Sequence, residues 1–241
     1  MAQADSFGTE KVGRLLWRLA PPVMLAQLIQ ALYNIVDSYF VGQYSKEGLA
    51  ALSVIFPIQL LISALAIGTG VGVNTVMSKL DGLSNRKGAD ETAGVGLLLA
   101  VLSWAAFALI ACGVMKIYSR LSLSSPAAQA YACSYGRIVC GFSFGIFLES
   151  NWTKVLQARG DMKTPMIAQV IGAVTNMVLD WLLIFGIGIF PRMGVAGAAI
   201  ATLLSQGISA VIVTVFLMRQ KDLCDFSLKE IRIHPKLLKS E

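Results

Sequence analysis

The chain has 241 residues, of which 56% are hydrophobic and only 14% charged. A soluble domain carries about 25% charged residues, so these proportions exclude a soluble globular enzyme and point to an integral membrane protein. The net charge of +6 is not a nucleic-acid signature, because the basic residues sit in short loops between apolar runs and form no basic-aromatic cluster.

Residues 1–18 are polar and mixed, and the apolar run that follows is too long for the h-region of a signal peptide. The first span is therefore the expected targeting element. Six apolar runs reach the roughly 20 residues that a bilayer requires: Leu19–Val41, Leu49–Met77, Ala93–Ile117, Ala132–Leu156, Met166–Phe190 and Val195–Met218. Each is expected to be a helix, since a span must satisfy its own backbone hydrogen bonds. The short period-two alternation of barrel strands is absent. The expected fold class is an all-α membrane protein, a bundle of six transmembrane helices.

Pro21 and Pro22 sit at the start of the first span. They cap the helix or kink it depending on where it begins. Pro57, inside the second span, is expected to bend it. Gly68, Gly70 and Gly72 in the second span, Gly141 and Gly145 in the fourth, and the run Gly194-Val195-Ala196-Gly197-Ala198-Ala199 at the opening of the sixth suit close helix packing. Residues 219–241 are polar with Ile231, Ile233, Leu237 and Leu238 interspersed, and read as a linker followed by the first turn of another helix. The domain reading is thus an N-terminal segment at 1–18, a six-helix lobe at 19–218 and a linker at 219–241.

Lys and Arg set the orientation. With the N-terminus inside, the inner segments hold fifteen of them and the outer segments four (Lys46, Lys116, Arg120 and Arg192), with Arg137 left within the fourth span. Both termini are expected in the cytoplasm, in a multi-pass protein of the cell membrane. Cys112, Cys133, Cys140 and Cys224 have no metal or CxxC spacing. The sequon Asn151-Trp152-Thr153 falls at an expected cytoplasmic membrane edge, where no glycan is added.

Asp37 and Asp180 lie inside otherwise apolar spans. A carboxylate near the bilayer centre costs about 2.5–3.5 kcal/mol on insertion scales, and an intramembrane acid is a functional-site hypothesis by default. Tyr33 and Asn34 precede Asp37 by four and three residues, and Asn176 precedes Asp180 by four. Such spacings share a helix face, so each aspartate is expected to have an amide partner one turn earlier. Both acids fall in the outer half of their spans and can meet in one site. Desolvation disfavours the charged form of a carboxylate, and a second one nearby disfavours double ionisation. Such a pair can exchange a proton near neutral pH or, ionised, hold Na⁺ through oxygen ligands. Gln30, Tyr33, Asn34 and Asn151 are assigned to the polar network of the cavity. Glu149 is a third acid, which can either snorkel to the cytoplasmic interface or take a functional role.

These residues resemble a known family. Tyr33-Asn34-Ile35-Val36-Asp37-Ser38-Tyr39-Phe40-Val41-Gly42, with Gly48-Leu49-Ala50-Ala51-Leu52 after it, resembles the first helix and loop of the MATE multidrug and toxin extrusion transporters. Gln157-Ala158-Arg159-Gly160-Asp161 with Lys163 and Pro165 resembles their loop between spans four and five. Asn176-Met177-Val178-Leu179-Asp180 is similar to their fifth helix, and the run from Gly194 to the opening of their sixth. The loop departs from the family in carrying Gln157 and Arg159 where arginine comes first and a glutamate or glutamine third.

The resemblance implies one six-helix lobe, the N-lobe, of a twelve-helix transporter. It implies cation binding at Asp37, Asn176 and Asp180, a network role for Tyr33, and a helix bend at Pro22. It implies export of drugs or organic cations against an H⁺ or Na⁺ gradient, with no cofactor and no metal beyond Na⁺ as coupling ion. Leu237-Leu238-Lys239-Ser240-Glu241 looks like the interlobe linker just before a seventh helix. Alternating access needs two repeats around a site, so the lobe is expected to work with a C-terminal lobe, a second chain or a homodimer partner. Three rivals stand beside this reading. A flippase for lipid-linked sugars would need a cavity rich in Arg and Lys. An intramembrane aspartyl protease would need Gly-x-Gly-Asp, whereas Asp180 follows Val178-Leu179. The third is an accessory membrane subunit with no transport of its own.

Overall fold

The computed structural model describes residues 11–219. Of the linker read at 219–241, residues 220–241, with Cys224, lie outside the described residues, as do the first ten residues. Within them the chain forms seven helices: α1 (Val12–Tyr44), α2 (Lys46–Gly82), α3 (Arg86–Ser122), α4 (Pro126–Gly141), α5 (Phe144–Ala158), α6 (Lys163–Phe185) and α7 (Val195–Arg219). Five are long and apolar enough to span a membrane, and α4 with α5 makes a sixth span bent by 43°. The all-helical bundle expected from the sequence is present.

Several boundaries differ from the expected ones, three of them in ways that reshape a span. Helix α1 starts at Val12, well before Leu19, so Pro21 and Pro22 lie in its interior rather than in its first turn. Each removes a backbone N–H from the i→i−4 ladder. The fourth span is not one helix but breaks at Phe142-Ser143. The Ser143 hydroxyl donates to the Cys140 carbonyl at 3.0 Å, and Gly145 just beyond lets α5 approach the backbone of α7 at Gln206 and Gly207. The fifth span ends at Phe185, not Phe190. Gly186 takes a left-handed conformation at φ 70° and closes the helix. A side chain there would strike the Arg192 backbone at 2.7 Å. Pro57 sits within an uninterrupted α2.

Short caps join the long helices. The Ser45 hydroxyl accepts from the Gly48 N–H at 3.2 Å, opening α2. The Asn85 side-chain Oδ1 does the same for Gly88 at 3.1 Å, opening α3. Asp161 accepts from the N–H groups of Lys163 and Thr164 at 3.0 and 3.1 Å, which fixes the start of α6. In the same loop Arg159 is buried. Its guanidinium donates to Asp90 at 2.7 Å and meets Asp81 at 3.2 Å. The loop of the resemblance therefore ties α5 to α2 and α3.

At the opposite end Gly194, at φ 57°, lies against the Tyr44 ring, and the Arg192 guanidinium sits over that ring at 5.2 Å. The core forms two clusters. One gathers Ile55, Met115, Tyr135, Phe147 and Ile184, and the other Val73, Met77, Trp152, Val155 and Val213. Large apolar side chains such as Leu32, Leu109, Ile110 and Val211 point outward, as a lipid-facing surface requires.

Candidate functional site

Helices α6 and α7 pack along each other, and α1 packs against α6. That places the polar face of α1 opposite that of α6. Asp180 is fully buried and Asp37 nearly so, at 0% and 5% exposure, and the two carboxylates interact electrostatically. Asn176 is oriented so that its amide donates to Asp180 Oδ2 at 3.2 Å and accepts from the Thr202 N–H at 3.3 Å. The amide thus links α6 to α7 through the acid. One oxygen of each aspartate, Oδ1, has no hydrogen-bond partner. Burying a polar group without a partner costs on the order of 1–3 kcal/mol. Two such oxygens, on facing helices, form a site able to take a proton or a small cation.

Asn34 does not serve Asp37 as Asn176 serves Asp180. Its amide donates back to the Gln30 carbonyl at 3.0 Å, the local acceptor that a side chain in an apolar helix most readily finds. Asn151 is also placed elsewhere. It is buried on α5 and faces Gly96 of α3 and Val73 of α2. Tyr33 lies near Asp37, Asp180 and Glu149 and bonds Gln30. Arg137, expected within the membrane, is on the exposed side of α4.

Tyr135, Gln59 and Thr202 belong to this neighbourhood but carried no signal as single residues. Tyr135 is fully buried. Its hydroxyl accepts from Gln59 Nε2 at 3.1 Å, and it lies within electrostatic range of both aspartates. Thr202 recurs with Ser205, Gln206 and Ser209 at helical spacing on α7, a polar stripe that sequence periodicity could have shown.

Beside the pair lies a chain of cavities. One, about 310 Å³, opens between α1 and α2 and is lined by Gln30, Tyr33, Asn34, Phe56, Gln59 and Thr202, among others. A second, about 50 Å³, and a third, about 100 Å³, share Gln30 with it and are both lined by Glu149. Glu149 is therefore turned into the bundle rather than toward the cytoplasmic interface. The 43° break before α5 means that the direction of Glu149 cannot be projected from the outer half of the span. Neither Asp37 nor Asp180 lines any of the three cavities.

The model of the MatE family matches residues 22–182, and that of the lipid II flippase MurJ matches residues 128–237. Among curated proteins, the chain is similar to an FAD transporter of Shewanella oneidensis, 34% identical over 80% of this chain and 43% of that protein. It is also similar to a probable multidrug resistance protein NorM of Thermotoga maritima, 26% identical over 94% of this chain and 48% of that protein. Among solved structures, an outward-facing multidrug resistance MATE family transporter of the MOP superfamily superposes with a TM-score of 0.86 and 30% identity, over 94% of this chain and 49% of that one. The chain spans about half the length of the relatives it matches. With most of its length under one family model and its fold shared with a solved member, the chain belongs to the MatE family, the multidrug and toxin extrusion transporters, a family of transporters and not of enzymes.

Proposed function

We propose that this chain is the N-lobe of a cation-coupled exporter of drugs or organic cations, with Asp37, Asn176 and Asp180 as the binding site for the coupling H⁺ or Na⁺. The observation that carries the reading is the pair of buried carboxylates on facing helices, each with an unpartnered oxygen. A cation entering the pair changes its charge by one unit and alters the packing of α1 against α6. Gln30, Tyr33 and Asn34, on the same helix as Asp37, line the cavity proposed for cargo. Pro22 gives α1 a place to bend, because the ladder is already interrupted there. The protein sits in the cell membrane with both termini cytoplasmic, and the cavity is closed by a C-terminal lobe, a second chain or a second copy.

In proteoliposomes holding the lobe with its partner lobe, Asp180→Asn is expected to abolish dye efflux driven by an ion gradient. Unchanged efflux would remove the site assignment. A second reading has one observation in its favour, the flippase match over residues 128–237. A lipid pyrophosphate calls for a cationic cavity, whereas the cavities here carry Glu149 and, of cations, Lys154 alone. The charge favours a cationic cargo.

A further inference from the structure

The acid that cargo would meet is not one of the aspartate pair. Asp37 and Asp180 line none of the three cavities, while Glu149 lines two of them. Glu149 is 9% exposed, and its Oε1 is buried with no hydrogen-bond partner. Gln169 of α6 and Ser209 of α7 approach the carboxylate as hydrogen-bonding groups but leave Oε1 unmet. The charged and titratable groups lining the same cavities are Tyr33 and Lys154. Lys154, five residues along α5, donates its ammonium to Gln157 Oε1 at 3.0 Å. A buried carboxylate left in this state calls for a cation or a donor to meet it.

Around it stand oxygen acceptors: the amides of Gln30, Gln169 and Gln206 and the hydroxyls of Ser205 and Ser209. Gln30, Tyr33, Ile146 and Gln206 also line the larger cavity, so the two spaces share these residues as a common wall. The walls of the larger one include Phe56, Leu60, Ile62, Ile67 and Val139. A charged pocket thus adjoins an apolar chamber.

We propose that Glu149 is the cargo-selecting residue of this lobe, binding an ammonium group through its carboxylate while the apolar body of the same molecule occupies the chamber against Phe56, Leu60 and Ile67. The substrate class is an amphipathic primary or secondary amine, and its site is separate from the Asp37–Asp180 pair. This rests on the export reading for the meaning of the cargo, but binding can be measured without transport.

The test uses the whole chain in lipid nanodiscs, with empty nanodiscs subtracted. The probes are 1-naphthylmethylamine, cationic at neutral pH, and its neutral counterpart 1-naphthylmethanol. The chain is expected to prefer the amine by about tenfold or more, and Glu149→Gln to bring the two within about twofold by weakening the amine alone. Unaltered binding of the alcohol shows that the chamber is intact, and Glu149→Asp is expected to retain the preference. Equal binding of the two probes by the unsubstituted chain overturns the proposal, as does a preference that survives Glu149→Gln. Ion-driven efflux that persists in Asp180→Asn, while the unsubstituted chain prefers the amine, would refute the coupling site and leave Glu149 in place.

Discussion

A fully buried carboxylate such as Asp180 is tolerated only where its surroundings offset the loss of water. Asn176 is the partner the structure supplies, holding one oxygen of Asp180 and, through the Thr202 N–H, the adjacent helix. Replacing Asn176 with Ala is expected to cost about 1.5–3 kcal/mol, the range for a hydrogen bond to a charged group. Tyr135→Phe, which loses the neutral bond from Gln59 and keeps the ring, is expected to cost about 1 kcal/mol. Thermal unfolding of the two variants in detergent, each against the unsubstituted chain, checks the order. Equal losses would mean that Asn176 does not bear on the carboxylate. At this scale the sequence was legible where a residue type is costly in lipid. Asp37, Asp180 and Asn176 stand out against their apolar runs. Tyr135 and Thr202 do not, because Tyr and Thr occur in any apolar helix. The direction of Asn34 was hidden by the backbone carbonyl of Gln30, which competes for its amide.

Among elements, close approach decides where a side chain can be added. A Cβ on Gly96 of α3 would collide with Val73 and come within 2.6 Å of Asn151 Oδ1. Both neighbours belong to packed helices, so Gly96→Ala is expected to destabilise by about 1–3 kcal/mol through overpacking. Gly68, in α2, has nothing within 4 Å of its Cβ position. Gly68→Ala is expected to be neutral or to stabilise by up to about 1 kcal/mol through helix propensity. Unfolding midpoints of the two variants give the contrast, and a destabilising Gly68→Ala would reveal a partner on that face. The six apolar runs were legible because hydropathy alone marks a span, but two of their ends were not. Ile187, Ile189 and Phe190 extend the apolar run past Phe185, although Gly186 has already ended the helix in a left-handed turn. The break at Phe142-Ser143 carries no proline, and its neighbours are as apolar as any span.

For the whole molecule, charge sets which side is expected to face the cytoplasm. The fifteen-to-four distribution of Lys and Arg predicts that Ser84, between α2 and α3, is inside and Ile189, between α6 and α7, outside. Ile189 is 95% exposed. With the native cysteines replaced, Ile189→Cys is expected to react with an impermeant maleimide on intact cells, and Ser84→Cys only after permeabilisation. The reverse pattern would invert the lobe.

The burial of α1 sets how easily the molecule can move. Of its 33 residues only Ala26, Asp37 and Val41 are buried, whereas α6 buries Pro165, Ala168, Gly172, Ala173, Asn176, Asp180, Leu183 and Ile184. One member of the carboxylate pair is thus mounted on a stiff, well-seated rod and the other on a compliant one whose ladder is already interrupted at Pro21 and Pro22. A force generated between the two acids is not shared equally. If the proposed coupling ion binds this pair, the gain or loss of one charge is expected to displace α1 more than α6.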